Sequence, residues 1–153
     1  MDIEAKLREM GLELPAVVKP LAAYVPAVKC GELVFSSGQL PVVKGKLAYQ
    51  GKVGKDCTEE QAYEAAKICA LNGLAAIKDQ IGSLDRIERF VKLLGFVNCV
   101  DAFTMQPKVV NGASEFLAAL FGDKGQHARS AVGVNSLPLD SPVEIEMIVQ
   151  CSK

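Results

Sequence analysis

Hydrophobic and polar positions alternate most cleanly near the end of the chain. From Val143 to Cys151, residues Val143, Ile145, Met147, Val149 and Cys151 share one parity, and Glu144, Glu146, Ile148 and Gln150 share the other. A period of two predicts a strand with one apolar face and one face bearing carboxylates. Just upstream, Ala128 to Val134 reads as another strand, with Arg129 set among small and apolar residues. The two are expected to pair as a hairpin around Pro138, with Glu144 facing Gly133. That register separates Arg129 and Glu144 by about 13 Å, too far for one small substrate to touch both within a chain. The pair would then meet across a subunit interface.

The rest of the chain predicts a layered α+β fold. Residues 2 to 10 read as a short helix stopped by Gly11 and Pro15, part of an N-terminal segment (1–15) that packs on the body. Val25–Lys29 and Leu33–Ser36 form a predicted hairpin across Cys30-Gly31-Glu32. Ser37-Gly38 turns the chain, and a short strand is expected around Leu47 to Gln50. Thr58-Glu59-Glu60-Gln61 is a capping-box sequence that opens a helix running to Ile81, with Gly82 placed to end it. The stripe Ala62, Ala65, Ala66, Cys69, Gly73, Ala76 and Ile77 is small enough for close approach to a sheet. Arg86 to Val100 reads as a long central strand. Pro107 suits the first turn of a second helix, whose apolar positions Val110, Ala113, Phe116, Leu117, Leu120 and Phe121 recur at helical steps before Gly122. The order β-β-β-α-β-α-β-β predicts one domain over 1–153: a mixed sheet with two helices on one face.

Composition narrows the functional classes. The net charge is −1, from 17 basic and 18 acidic residues whose signs are interleaved. No basic track for a phosphate backbone is evident, and tryptophan is absent, so a nucleic-acid partner is disfavoured. No apolar run approaches the roughly 20 residues of a membrane span. The N-terminus lacks a signal-peptide core, which makes the cytoplasm the default expectation. Half of the residues are hydrophobic, an apolar surplus that fits a subunit interface. The five cysteines are widely spaced without a Cys-x-x-Cys pair, and His127 is the single histidine. Neither pattern specifies a disulfide framework or a metal site.

Arg129 offers a planar fork for a carboxylate, and Glu144 or Glu146 could orient water and take its proton. From the residues alone, Arg129 could equally be a structural ion-pair partner. The run Ala128-Arg129-Ser130, then Leu137-Pro138, then Val143-Glu144-Ile145-Glu146 resembles the signature of the RidA family of enamine and imine deaminases. Tyr24, Ser37-Gly38-Gln39-Leu40-Pro41 and Asn111 match further motifs of that family in the same order, so the resemblance spans roughly residues 20 to 151.

The resemblance implies a chorismate-mutase-like fold assembled as a homotrimer, with active clefts between subunits. It implies Arg129, Glu144, Tyr24 and Ser37 as catalytic residues, and Arg129, Gly38, Asn111 and Ala131 as substrate-binding residues. Glu144, the first glutamate of its motif, is the implied water-handling group. Many members carry cysteine where this chain has Ala131, a role that includes the backbone carbonyl alanine retains. The implied reaction is hydrolysis of 2-imino or 2-enamino acids to 2-keto acids and ammonia. It needs no metal or other cofactor, because positioning suffices for an intrinsically easy hydrolysis. Two alternatives are a trimeric sensor of small carboxylates and a single-strand ribonuclease.

Overall fold

The computed structural model describes residues 1–17 and 19–153. Its first element is helix α1 (Ile3–Glu9), capped by the Asp2 carboxylate, which accepts from the Ala5 N–H. Ile3 and Leu7 are its buried residues, and the helix lies against α3 (Gln106–Phe121) and the 3-10 turn Leu84–Arg86. Burying two such aliphatic chains contributes about 1.5–3 kcal/mol each at most. The Ile3 N–H donates to Asp85 Oδ1 at 2.8 Å, fixing the helix start to the body.

Five strands form the main sheet: β1 (Ala27–Cys30), β2 (Leu33–Ser36), β5 (Ile87–Asn98), β6 (Ala128–Val134) and β7 (Val143–Cys151), in the order β1-β2-β7-β5-β6. All neighbours are antiparallel except β5 and β6. Helix α2 (Glu59–Ile81) begins with the complete capping box, in which Thr58 and Gln61 satisfy each other's backbone donors. Its small-residue stripe is buried throughout and packs on β7, whose alternate residues Val143 to Cys151 are also buried. Helix α3 packs beside α2 and over β5 and β6. Their contact is close at Gly112, where a Cβ would lie 1.9 Å from the Tyr63 carbonyl oxygen. Among the described residues no layer covers the opposite sheet face, which exposes Val28, Leu33, Phe35 and Val132.

Three local expectations are corrected. Strand β1 starts at Ala27 rather than Val25, because Pro26 has no N–H for the ladder. The strand expected at Leu47 to Gln50 is instead a two-stranded hairpin, β3 (Val42–Val43) and β4 (Lys46–Leu47). Its tip, Lys44-Gly45, has positive φ at both residues, the geometry a two-residue hairpin loop requires. The long strand runs from Ile87 to Asn98, shorter at both ends than expected.

The larger correction concerns the C-terminal strands. β6 and β7 are not a hairpin: β5 lies between them, pairing parallel with β6 and antiparallel with β7. Gly133 lies opposite Val97, and Glu144 opposite Phe96. The physical reason is the crossover β5–α3–β6. Two strands joined by a 16-residue helix are set side by side in parallel, with the helix on the sheet. β6 is thereby an edge strand, and the 3-10 turn Pro138–Asp140 carries the chain past β5.

Candidate active site

The first half of the site lies around the turn after β2. The Ser37 N–H donates to the Pro26 carbonyl at 2.8 Å, and its hydroxyl donates to the Val25 carbonyl at 2.6 Å. With that proton committed, Ser37 Oγ is an acceptor toward any ligand. Gln39 and Ile145 exchange backbone hydrogen bonds of 2.8 and 3.1 Å, holding the turn to the start of β7. Gly38 lets the Glu144 carboxylate approach the turn closely: a Cβ there would lie 2.2 Å from Glu144 Oε1. Exposed Tyr24, Ser37 and Gly38 line one cavity of about 160 Å3 between the N-terminal segment, this turn and α2. Glu144 is not part of that lining; its carboxylate lies against Gly38 from the uncovered sheet face.

Glu144 is half-buried on the uncovered sheet face, and its carboxyl is pushed above the ordinary range by burial, then by neighbouring Glu146. The loop that leads into β7 is anchored by fully buried Asn98. Its amide donates to Asp140 Oδ1 (3.1 Å) and the Ser141 carbonyl (3.2 Å) and accepts from Lys52 Nζ (2.8 Å). Lys52 also reaches the Asn135 carbonyl. This network sets the level at which β7 begins, two residues before Glu144 in the case of Pro142 and one in the case of Val143. It was not part of the sequence-based expectation.

The second half of the site is at the other side of the sheet. Arg129 lies opposite Leu93, whose side chain is fully buried on the helix side, and it meets α3 there. Its Nη1 donates to Asn111 Oδ1 at 2.7 Å and to Ser114 Oγ at 3.1 Å. Among the described residues no carboxylate forms an ion pair with it. His127 Nδ1 lies 2.7 Å from the Gly125 carbonyl, and Nε2 lies 2.9 Å from Ser114 Oγ. A carbonyl only accepts, so Nδ1 carries the proton and Nε2 accepts from the Ser114 hydroxyl. Burial lowers the His127 pKa, and Arg129 lowers it further against the opposing effect of the Gly125 hydrogen bond. The neutral imidazole thus turns a Ser114 lone pair toward the guanidinium. Ser114 escaped the sequence reading, although it lies three residues after Asn111 and so shares its helix face. Ala131 follows Arg129 by two residues on the same strand face, half-buried against the core and opposite Gly95.

The expected site residues are therefore gathered into two groups. Tyr24, Ser37, Gly38 and Glu144 form one; Asn111, Arg129 and Ala131 form the other. Arg129 and Glu144 are on opposite sheet faces, two strand spacings across and three residues along, or about 14 Å apart. The expected separation holds, by a different strand path from the hairpin that suggested it. Four cysteines, Cys57, Cys69, Cys99 and Cys151, are buried, and Cys30 is exposed. Among the described residues, no group of three His, Cys, Asp or Glu could hold a metal, and no helix is long and apolar enough to cross a membrane.

Comparison with known proteins agrees with the fold. The chain is 39% identical over 149 residues to the protein TCP17 of Trypanosoma cruzi, covering 97% of this chain and 93% of that one. It resembles the crystal structure of a protein of unknown function from Agrobacterium tumefaciens at 45% identity and a TM-score of 0.92, covering 98% and 92% of the two chains. A RidA structure from an Antarctic Psychrobacter matches at 27% identity and a TM-score of 0.61, covering 88% and 93%. A family model described as "YjgF/chorismate_mutase-like, putative endoribonuclease" matches residues 4–150, including nearly all of α1. The chain belongs to this YjgF/RidA-like family.

Proposed function

We propose that the protein hydrolyses 2-imino and 2-enamino acids to 2-keto acids and ammonia, in clefts shared by neighbouring subunits of a homotrimer. The observation that carries this reading is a guanidinium held by neutral acceptors and, among the described residues, left without a carboxylate. Both Nη1 contacts are made to Asn111 and Ser114, so the Nε/Nη2 edge is left for a substrate carboxylate, which it can grip bidentately. Water placed on the imine carbon loses a proton to Glu144 as the C–O bond forms. The tetrahedral carbinolamine receives that proton on nitrogen; its hydroxyl then gives its own proton to Glu144, which passes it to the amino nitrogen as the C–N bond breaks, the C=O bond forms and ammonia leaves the keto acid. Ser37 Oγ accepts from the imine N–H, Tyr24 covers the cavity mouth, and the raised Glu144 pKa suits alternate uptake and release of a proton.

The trimeric arrangement is supported by the two half-sites on opposite sheet faces and by the uncovered face bearing Val28, Leu33, Phe35 and Val132. Cyclic assembly would bring the Arg129 edge of one chain to the Glu144 cavity of the next. The test is ammonia and keto-acid release from imines made in situ by an amino-acid oxidase. The expected result is clear acceleration over spontaneous hydrolysis, lost by several decades in Arg129→Ala, since a charge-assisted carboxylate contact contributes about 2–5 kcal/mol. Near-wild-type turnover by folded Arg129→Ala contradicts the assignment. The ribonuclease in the family's description calls for a phosphate-binding track that the interleaved charges do not supply. A gel-shift series with single-stranded RNA at increasing salt tests it.

A further inference from the structure

We propose that the cavity behind Ser37 and Gly38 is a side-chain subsite, selecting imines whose apolar side chains are the size of a leucine or phenylalanine chain. This inference rests on the deaminase reading above and names its substrate class. The cavity's volume is about 160 Å3. An apolar protein cavity of about 150 Å3 accommodates benzene. A methyl or methylidene side chain therefore leaves most of the space unfilled, whereas an isobutyl or benzyl chain occupies it.

The lining has the matching chemistry. Away from Ser37 and Gly38, the walls are Val17, Pro20, Leu40, Val42 and Ala76. Asn72 is the polar group on the helix side. Its amide nitrogen donates to the Leu40 and Val42 carbonyls at 3.0 Å each, so both of its hydrogens brace the wall rather than await a ligand. Gln39 Nε2 is likewise turned onto the Ser37 carbonyl at 3.2 Å. Among the described residues no charged side chain lines the cavity. A charged substrate chain would lose its water there and gain no ionic partner among the described residues.

Gly38 connects this subsite to the chemistry. It lines the cavity and also lies against the Glu144 carboxylate. In this reading a side chain held in the cavity extends past Gly38, and the imine carbon follows on the side of Gly38 that faces Glu144. The segment carrying Val17 and Pro20 precedes the first strand, so the wall that sets substrate size comes from the N-terminal part of the chain.

The substrate class also places the reaction. Eliminating a β-hydroxyl or β-thiol from an amino acid yields only short enamines. An imine with an isobutyl or benzyl chain arises by oxidation, when the amino acid gives two electrons and two protons to a flavin that passes them to oxygen. The subsite points to an amino-acid oxidation as the supplying reaction.

The experiment generates imines of alanine, leucine, phenylalanine and glutamate with an amino-acid oxidase and measures catalysed kcat/KM for each. Pocket discrimination by one methylene is about 10- to 200-fold, so the leucine and phenylalanine imines should exceed the alanine imine by at least about tenfold. The glutamate imine should be the poorest. Val42→Phe, which narrows the cavity, should collapse the leucine-to-alanine ratio toward one. Competition by 4-methyl-2-oxopentanoate against pyruvate provides a readout independent of turnover, with the larger keto acid favoured. Turnover of the alanine or glutamate imine at or above that of leucine overturns the subsite and leaves the deaminase reading intact. Acceleration of no imine removes the deaminase reading itself; a ratio unmoved by a folded Val42→Phe protein overturns the position of the subsite.

Discussion

Gly38→Ala isolates the contact on which the proposed water activation depends. The added Cβ would fall 2.2 Å from Glu144 Oε1, 2.8 Å from its carboxyl carbon and 3.1 Å from Cγ. Ordinary contact begins near 3.4 Å, so the carboxylate oxygen must retreat by roughly 1.2 Å. That motion is easy for the end of a flexible side chain, and Gly38 has no positive φ to strain an alanine. Stability should hold or rise by up to about 1 kcal/mol, through the less flexible unfolded chain. A misplacement of about 1 Å costs turnover about a hundredfold. The assay is imine hydrolysis beside thermal unfolding, in wild type, Gly38→Ala, Glu144→Gln and the double variant. The alanine should cost about a hundredfold in the wild-type background and little in Glu144→Gln. Undiminished turnover refutes the reasoning, as does an alanine cost that stays the same without the carboxylate.

Glu144→Gln should lower turnover by about a hundred- to ten-thousandfold while keto-acid affinity by calorimetry changes much less. In wild type, kcat should fall as pH falls through the raised Glu144 pKa, because the base must be ionised. A pKa raised from 4.5 on folding means the folded chain binds this proton more readily. Stability is therefore lost as pH rises from 4.5 through the folded value, so Glu144→Gln should be the more stable protein at neutral pH and lose that advantage in acid. Ser114→Ala removes one of two Arg129 acceptors and the donor to His127. Keto-acid affinity should weaken by about tenfold or more, in line with a charge-assisted hydrogen bond of about 1.5–3 kcal/mol. Unchanged affinity would show that Arg129 needs no help from Ser114.

Local patterns carried much of this architecture. The alternation in β7 correctly placed Glu144 on one face and Val143, Ile145, Met147, Val149 and Cys151 on the other, because burial on a half-covered sheet imposes period two. Thr58 and Gln61 announced the start of α2, and its small stripe announced a close helix–sheet contact. Strand neighbours were less legible, since alternation assigns a face but not a partner. The pairing of β6 with β5 was nonetheless implied by the intervening helix, and the proximity of β6 and β7 along the chain obscured it. The motif residues Tyr24, Ser37, Gly38, Asn111 and Arg129 all line one of two cavities. Their support was hidden for a different reason. Lys52, Asn98 and Asp140 come together from three distant loops and strand ends, and Ser114 and His127 join a helix face to a strand start. No local period encodes such meetings.

The central claim is a site completed between chains, and mixed assembly tests it most directly. Arg129→Ala and Glu144→Gln chains, each inactive alone, are co-refolded in equal amounts and assayed for imine hydrolysis. In a cyclic trimer with random mixing, a cleft draws Arg129 from one chain and Glu144 from its neighbour, and about one cleft in four receives both. The account predicts recovery of about a quarter of wild-type activity, with a trimer mass by light scattering. A monomer, or mixed trimers that recover no activity, would contradict it.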